Sequence, residues 1–203
     1  MPLELLKNKK FKSEIRKFLK NNEKEIIDII IFGSAIRGKE KPEDIDILIL
    51  FKERENIDLN YELRKVLEKI NLKVEVTGKT YKNMLSTKFL PREDILSDGY
   101  SLALNKNISQ SFGYESFIMF KYSLKGFGTS KRMMFYYALE GRRDKKGMIK
   151  ELDGIKFTNA VVLIPIKNSE LFEDFLNSWN IKIKRTRILI PGKTLEFTKF
   201  DED

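Results

Sequence analysis

Two short apolar runs near the N-terminus constrain the fold of this chain more than any other feature. The first, Ile26–Phe32, ends abruptly at Gly33 and Ser34, and the second is Ile45–Phe51. Both are short and rich in β-branched residues, so they predict strands rather than helices. The second is apolar on both faces, which favours a central strand. Asp28 interrupts the first run and is expected at a solvated edge or beside a lysine.

Two carboxylates occupy one face at the start of the second predicted strand. Asp44 and Asp46 are two residues apart, which places their backbone positions about 6–7 Å apart on the same face. Two charges at that separation repel by roughly 2.6 kcal/mol at an effective dielectric constant of 20. Glu75, in the alternating segment Leu72–Thr77, would add to the repulsion from a neighbouring strand. A divalent cation would relieve it, and carboxylate-bridged cations serve phosphoryl displacement. The third carboxylate is also a candidate to accept the proton of an attacking hydroxyl.

The Gly-Ser turn has features suited to a phosphate. Gly33 allows close approach of the backbone to an anion, and a short helix predicted from Ser34 to Arg37, with Gly38 as its end, would direct N–H groups toward it. Arg37, one turn further on, could reach a phosphate or equally form a surface ion pair. A Gly-Ser turn or an Asp-x-Asp pair alone is usually a turn, a cap or a solvated loop. Their conjunction predicts a site for a metal-bound triphosphate.

The absence of cysteine and histidine narrows the chemistry further. It excludes disulfides, zinc fingers, thiol catalysis and Ser-His triads. A bound metal must be held by oxygen atoms, which predicts a hard cation such as Mg²⁺ or Mn²⁺.

The segment GSAIRGKEKPEDIDILIL resembles the signature of the polymerase-beta-type nucleotidyltransferase superfamily, in the form found in its minimal nucleotidyltransferases. The sequence VEVT at Val74–Thr77 resembles the strand that carries the third carboxylate of the family. ILSDGYSLAL, Ile95–Leu104, is similar to the segment that often closes the minimal domain. The sequence departs from the family pattern at Glu43, where a serine is common, and at Glu75, where aspartate is more usual.

This resemblance implies an α+β domain with a mixed sheet flanked by helices, two Mg²⁺ ions, and transfer of a nucleoside monophosphate from an NTP. It assigns Gly33 and Ser34 to the triphosphate, and Asp44, Asp46 and Glu75 to the metal. The acceptor stays open between an RNA end and a protein hydroxyl, as in minimal nucleotidyltransferases that act as antitoxins beside a toxin-like partner. The alternative is a nucleic-acid-binding or regulatory protein on a catalytically silent scaffold.

The polar segment Asn105–Ser111 predicts a boundary between a nucleotidyltransferase domain, residues 1–104, and a basic α+β domain, residues 105–203. The second part holds 18 basic and 12 acidic residues, so it carries +6 of the net charge of +9. A helix is predicted at Tyr114–Leu124, and the order of elements also allows a winged-helix-like module.

Two basic clusters in this second domain predict a surface for RNA or DNA. Phe127, Tyr136 and Tyr137 lie nearby in the sequence. The alternative is that these aromatic residues belong to the core and the charges to a solvated face. The clusters consist of Arg142, Arg143, Lys145 and Lys146, and of Lys182, Lys184, Arg185 and Arg187.

Composition and the N-terminal segment indicate the setting. Charged residues form 34% of the chain, which is common in proteins from hot environments. The sequence begins with a segment too charged for a signal peptide, and no apolar run approaches the length of a membrane span. A cytoplasmic protein without membrane association is expected.

Overall fold

The computed structural model describes residues 2–37 and 44–194. The chain divides into two compact units between Phe112 and Gly113. The predicted boundary, between Leu104 and Asn105, lies within the first unit.

The first unit alternates short helices with strands. Its helices are α1 Pro2–Lys7, α2 Lys9–Asn21, α3 Ile57–Glu68, α4 Tyr81–Met84, α5 Arg92–Asp98 and α6 Ile108–Ser111. Its strands are β1 Ile26–Phe32, β2 Ile45–Phe51, β3 Val74–Thr80, β4 Tyr100–Ser101 and β5 Lys106–Asn107. The bounds of β1 and β2 coincide with the two apolar runs, which confirms both predicted strands.

These strands form one mixed sheet in the order β3-β2-β1-β4-β5. Strand β2 pairs with β1 in the antiparallel direction and with β3 in the parallel direction. On one face, Ile47 and Ile49 of β2 join a core with Phe11 of α2 and Leu63 of α3. On the other face, Leu48 packs with Ile95 of α5. A mixed sheet with helices on both faces confirms the predicted class, and the burial of both faces of β2 makes it a central strand.

Asp28 corrects a prediction, because it is neither at a solvated edge nor beside a lysine. It is buried in β1. Its Oδ1 accepts hydrogen bonds from the Ile29 and Ala103 N–H groups at 2.7 and 3.0 Å, and its Oδ2 accepts one from Ser101 Oγ at 2.5 Å. Burial raises the pKa of Asp28, and these hydrogen bonds only partly oppose that rise. The carboxylate therefore fastens the segment after β4 to the first strand.

Within the described residues, the second unit contains six strands and three α-helices. Its strands are β6 Tyr114–Ser123, β7 Gly141–Arg142, β8 Lys145–Lys146, β9 Ile155–Thr158, β10 Val161–Pro165 and β11 Lys182–Pro191. Its helices are α7 Thr129–Glu140, α8 Met148–Glu151 and α9 Ser169–Ser178.

Four of these strands form an antiparallel sheet in the order β11-β6-β10-β9. With α7 between β6 and β9, and α9 between β10 and β11, the unit has the βαββαβ arrangement of ferredoxin-like domains. The helices pack on one face of the sheet, where Phe120 of β6, Phe135 of α7 and Phe172 of α9 share a core. The β7–β8 pair forms a separate two-stranded hairpin.

The helix predicted at Tyr114–Leu124 is wrong, because this segment is strand β6. Ile118, Phe120 and Tyr122 alternate with residues on the opposite face, and all three join the helix-covered core. A winged-helix-like module would need a helix at this position, and the segment is a strand instead. The unit remains an α+β structure.

Within residues 2–37 and 44–194, the helices are too short or too polar to cross a membrane.

Candidate active site

The candidate site lies at the end of the first sheet where β1 stops and β2 starts. Phe32, the last residue of β1, pairs with Asp46 of β2, and Asp46 pairs with Glu75 of β3. Directly opposed residues on neighbouring strands point to the same face of a sheet. Asp44 precedes Asp46 by two residues. The three predicted carboxylates thus belong to one end and one face of the sheet.

This face is the one covered by α5. Ile45 and Ile47, on the opposite face, belong to the core beneath α2 and α3, whereas Leu48 packs against Ile95 of α5. Asp44 and Asp46 are partly exposed, and Glu75 is exposed. The carboxylates are therefore accessible to a ligand while their strands are anchored in the core.

Gly33 fits closely against the Asp46 carboxylate. Its φ angle is +77°, and a Cβ atom at this position would collide with Asp46 Oδ2 and lie 3.3 Å from Asp46 Cγ. The helix predicted from Ser34 to Arg37 is a single 3₁₀ turn over Gly33–Ala35, in which the Ile36 N–H donates to the Gly33 carbonyl at 3.1 Å. Gly38, expected to end that helix, lies outside the described residues. The backbone angle favours glycine here, and a larger residue would also have to displace the Asp46 carboxylate.

Arg37 forms an ion pair with a carboxylate that the sequence analysis did not identify. Its Nη1 lies 2.8 Å from Asp98 Oδ2, and the Asp98 side chain is fully buried at the end of α5. Asp98 Oδ1 also accepts a hydrogen bond from Ser97 Oγ at 2.6 Å. The pair links the turn after β1 to α5. No local pattern in the sequence marked Asp98 as the partner, since the two residues lie 61 positions apart.

The pKa of the Asp46 carboxyl depends on the other charged residues of the site. Burial raises the pKa of the Asp46 carboxyl above its ordinary value, and the negative charges of Asp44, Glu75 and Asp94 raise it further. The positive charge of Arg37 acts in the opposite direction. Asp94, on α5, is a fourth carboxylate near the site that sequence reasoning missed. The negative charge around Asp46 favours a proton or a bound cation.

The acidic side chains of the site are suitable ligands for a hard metal ion. Carboxylate oxygens are the ligands that Mg²⁺ and Mn²⁺ prefer, and a cation would offset the repulsion that raises the pKa of Asp46. As the side chains stand, no three acidic residues in the described ranges converge on a single metal position. Glu43, which replaces the common serine of the family, lies outside those ranges.

The structure separates the eight predicted nucleic-acid-binding residues. Arg142, Arg143, Lys145 and Lys146 lie on the β7–β8 hairpin after the end of α7, with the Arg142 guanidinium 4.6 Å from the centre of the Tyr137 ring. The other four lie on β11, an edge strand of the sheet. The two predicted clusters therefore do not form one continuous row.

The residues on β11 divide between its two faces. Arg185 pairs with Glu173 of α9 on the helix-covered face, and Arg187 also has an interaction partner. Lys182 and Lys184 are exposed on the opposite face. Only these two lysines of β11 face away from the helices.

Comparisons with known proteins match the first unit. Residues 13–101 match the family model for the polymerase beta nucleotidyltransferase domain. A Methanocaldococcus jannaschii protein provisionally named a protein adenylyltransferase is 31% identical over 85 residues, which cover 40% of this chain and 83% of that protein.

Two solved structures are also similar to part of the chain. A mutant of the MntA–HpeT toxin–antitoxin complex gives a TM-score of 0.35 at 20% identity, over 45% of this chain and 71% of its own. A tri-AMPylated Shewanella oneidensis HEPN toxin in complex with the MNT antitoxin gives 0.32 at 22% identity, over 45% and 67%.

The family match and the M. jannaschii relative confirm the resemblance inferred from the Gly-Ser turn, the Asp-x-Asp strand and Glu75. The chain therefore belongs to the polymerase beta family of nucleotidyltransferases.

Proposed function

We propose that this nucleotidyltransferase transfers AMP from ATP to a hydroxyl group of a protein, with Mg²⁺ or Mn²⁺ as its metal. The observation that carries the proposal is the register of Asp46 against Glu75, next to a glycine that lies against the Asp46 carboxylate. The choice of ATP and of a protein acceptor is supported by the name of the M. jannaschii relative.

The proposed reaction is an in-line displacement at the α-phosphorus of ATP. The acceptor hydroxyl oxygen forms a bond to that phosphorus, and the bond from the phosphorus to the oxygen bridging to the β-phosphate breaks. Pyrophosphate leaves with the electron pair. The hydroxyl proton passes to the exposed carboxylate of Glu75, which acts as the general base.

The other residues of the site bind and orient the nucleotide in this proposal. Gly33 allows the triphosphate to approach the backbone, the Ser34 hydroxyl donates a hydrogen bond to it, and Arg37 supplies positive charge beside Asp46. Asp44, Asp46 and Glu75 would hold the metal, whose contribution when bound is to neutralise charge on the phosphate oxygens.

The basic second unit keeps an RNA end as a second candidate acceptor. Residues 113–203 hold 17 basic and 12 acidic residues, so they carry +5 of the net charge of +9, and positive charge favours a polyanion. A toxin-like protein encoded beside this chain is one specific protein acceptor to be tested.

The acceptor class can be determined with ATP radiolabelled at the α-phosphate. The protein is incubated with this ATP, Mg²⁺ or Mn²⁺ and a cell extract, and the products are treated with ribonuclease or with protease. Label that resists ribonuclease but is released by protease supports a protein acceptor. Label released only by ribonuclease supports an RNA end. Absence of transfer, together with tight nucleic-acid binding, supports a catalytically silent scaffold.

A further inference from the structure

We infer that one end of the second unit binds the phosphate backbone of a single-stranded nucleic acid, with one base entering a cavity at that end. This surface is the sheet-end cluster, defined as Lys121, Lys125, Arg132, Lys182 and Lys184. The inference concerns the second unit alone and does not depend on the proposed transfer reaction.

The first observation is a pair of lysines held directly opposite each other. Lys184 of β11 pairs with Lys121 of β6 in the antiparallel sheet, and Lys182 pairs with Ser123. All three lysines lie on the face opposite the α7 and α9 core, because their strand neighbours Tyr122 and Ile183 belong to that core. Like charges directly opposite in a sheet are destabilising. The repulsion lowers the stability of the free protein, and a bound anion would reduce it.

The second observation is a cavity at the same end of the sheet, bordered by Tyr122 and Tyr136 of the helix-covered side and by Ser123, the cross-strand partner of Lys182. It has a volume of about 320 Å³, and Lys125, Arg132 and Asn159 also border it. This volume lies at the lower end of the range for small-ligand pockets. Cations beside aromatic rings suit a nucleotide, with phosphate on the cations and a base against the partly exposed ring of Tyr136.

The third observation is the charge of the residues around the cavity. Among the described residues, those that border it include the cations Lys125 and Arg132 and no aspartate or glutamate. Lys131 of α7 has its ammonium 4.1 Å from the centre of the Phe127 ring. The carboxylate nearest in effect is Glu140, whose negative charge acts on Tyr122 and which is paired with Lys156 at 2.9 Å.

Single-stranded nucleic acid fits these observations better than a duplex or an acidic protein. We infer that the cavity, at about 320 Å³, takes a single base, which a duplex supplies only when that base leaves its stack. Lysines spread along an open strand contact successive phosphates as point charges. The β7–β8 hairpin lies at the other end of α7, a 12-residue helix about 18 Å long, so it belongs to a different surface.

The test measures binding of the full chain to fluorescein-labelled oligouridylate and oligothymidylate by fluorescence anisotropy over a series of salt concentrations. A triple variant, Lys121→Gln with Lys182→Gln and Lys184→Gln, is expected to weaken binding by more than about tenfold. It should also reduce the slope of log K against log salt by about 2, since each phosphate contact on a single strand contributes about 0.7. Its melting temperature should be unchanged or higher, because the opposed lysines are relieved.

The matched control removes the same charge from the hairpin, through Arg143→Gln, Lys145→Gln and Lys146→Gln. It is expected to retain affinity within about twofold. Tyr136→Leu should weaken binding without changing the salt slope, because it removes a stacking surface and no charge.

Four results would overturn the inference. They are no binding at low salt, equal losses in the triple variant and its hairpin control, binding of a duplex as tight as that of the single strand, and competition by polyglutamate as effective as that by unlabelled oligouridylate. The last result would assign the surface to an acidic protein. Because none of these measurements requires ATP, their failure is distinct from failure of AMP transfer.

Discussion

Asp46 of β2 is the direct cross-strand partner of Glu75 on the parallel strand β3. The two carboxylates leave the same face of the sheet, and the charge of Glu75 contributes to the raised pKa of Asp46. This register explains how a residue in a separate alternating segment joins the Asp-x-Asp pair. It supports the prediction that Glu75, in place of the aspartate more usual in the family, is the third carboxylate of the site.

Replacing Glu75 by glutamine should abolish most of the transfer activity. Glu75→Gln keeps the size of the side chain but removes the charge, so we expect the rate of AMP transfer to fall by about 10²–10⁴-fold, the usual contribution of a general base. Glu75→Asp should retain part of the activity. Initial rates of transfer from ATP radiolabelled at the α-phosphate provide the measurement. Glu62→Gln, an exposed residue of α3, is the control, and equal rates for Glu62→Gln and Glu75→Gln would contradict the assignment.

A side chain at Gly33 should lower transfer activity as well as the stability of the fold. Gly33 and Gly113 have nearly the same φ, +77° and +78°, but a Cβ at Gly113 meets no atom within 4 Å. Alanine at either position should cost about 1–2 kcal/mol in the free energy of unfolding from the left-handed backbone alone. Only Gly33→Ala should also displace Asp46 and abolish transfer. Urea unfolding and transfer rates measured on both variants separate the two effects, and an active Gly33→Ala enzyme would refute the close packing.

The Arg37–Asp98 pair should contribute more stability than an exposed pair. Asp98 is fully buried, and removing one partner of a charged, desolvated hydrogen bond costs about 1.5–3 kcal/mol. We therefore expect Asp98→Asn to lower the free energy of unfolding by about 2 kcal/mol. It should also raise the KM for ATP, because Arg37 loses its anchor.

The comparison for this prediction is Asp153→Asn, which breaks the exposed pair between Asp153 and Lys167. Exposed pairs typically contribute less than about 1 kcal/mol. Urea unfolding of both variants gives the free energies. Similar small losses in the two variants would show that the Arg37–Asp98 pair does not anchor the turn after β1.

The buried carboxyl of Asp28 should give the stability of the chain a characteristic pH dependence. The pKa of Asp28 is raised in the folded state, so the native protein holds this proton more tightly than the unfolded chain does. The contribution of Asp28 to stability should therefore fall as pH rises from about 4, the ordinary aspartate pKa, through the raised folded pKa. Urea unfolding across this range should show a wild-type advantage over Asp28→Asn that is largest at low pH.

Two further variants complete this test. Asp58→Asn, at an exposed position of α3, should not reproduce the pH-dependent difference. Asp28→Ala leaves Ser101 and two backbone N–H groups without their acceptor, which should cost at least about 2 kcal/mol. A difference between wild type and Asp28→Asn that does not vary with pH would contradict the raised pKa.

The parts of the fold that were predictable from the sequence are those specified by local patterns. Strands β1 and β2 are predictable from their short runs of β-branched residues. Asp44 and Asp46 mark the start of the second strand. The pattern could not show that Asp28 is buried, because its acceptor role depends on Ser101 and Ala103, more than 70 residues away. Asp98 escaped notice for the same reason.

The second unit was harder to predict because its central strand resembles a helix in composition. Segment Tyr114–Ser123 mixes aromatic residues with Met119 and Lys121. Its inner face shows the two-residue period of a strand only when Ile118, Phe120 and Tyr122 are known to be the core residues. The basic residues were visible, but the sheet register that places Lys184 opposite Lys121 was not.

The central claim is that the carboxylates at the start of β2 carry out nucleotide transfer, and one pair of variants tests it directly. Metal-dependent transfer of label from the α-phosphate of ATP is compared between Asp44→Asn with Asp46→Asn and a control, Asp58→Asn with Asp174→Asn, which removes the same charge from exposed positions. We predict that the site variant loses transfer by more than about 10²-fold while the control retains wild-type activity. Transfer by the site variant at the wild-type rate would contradict the account.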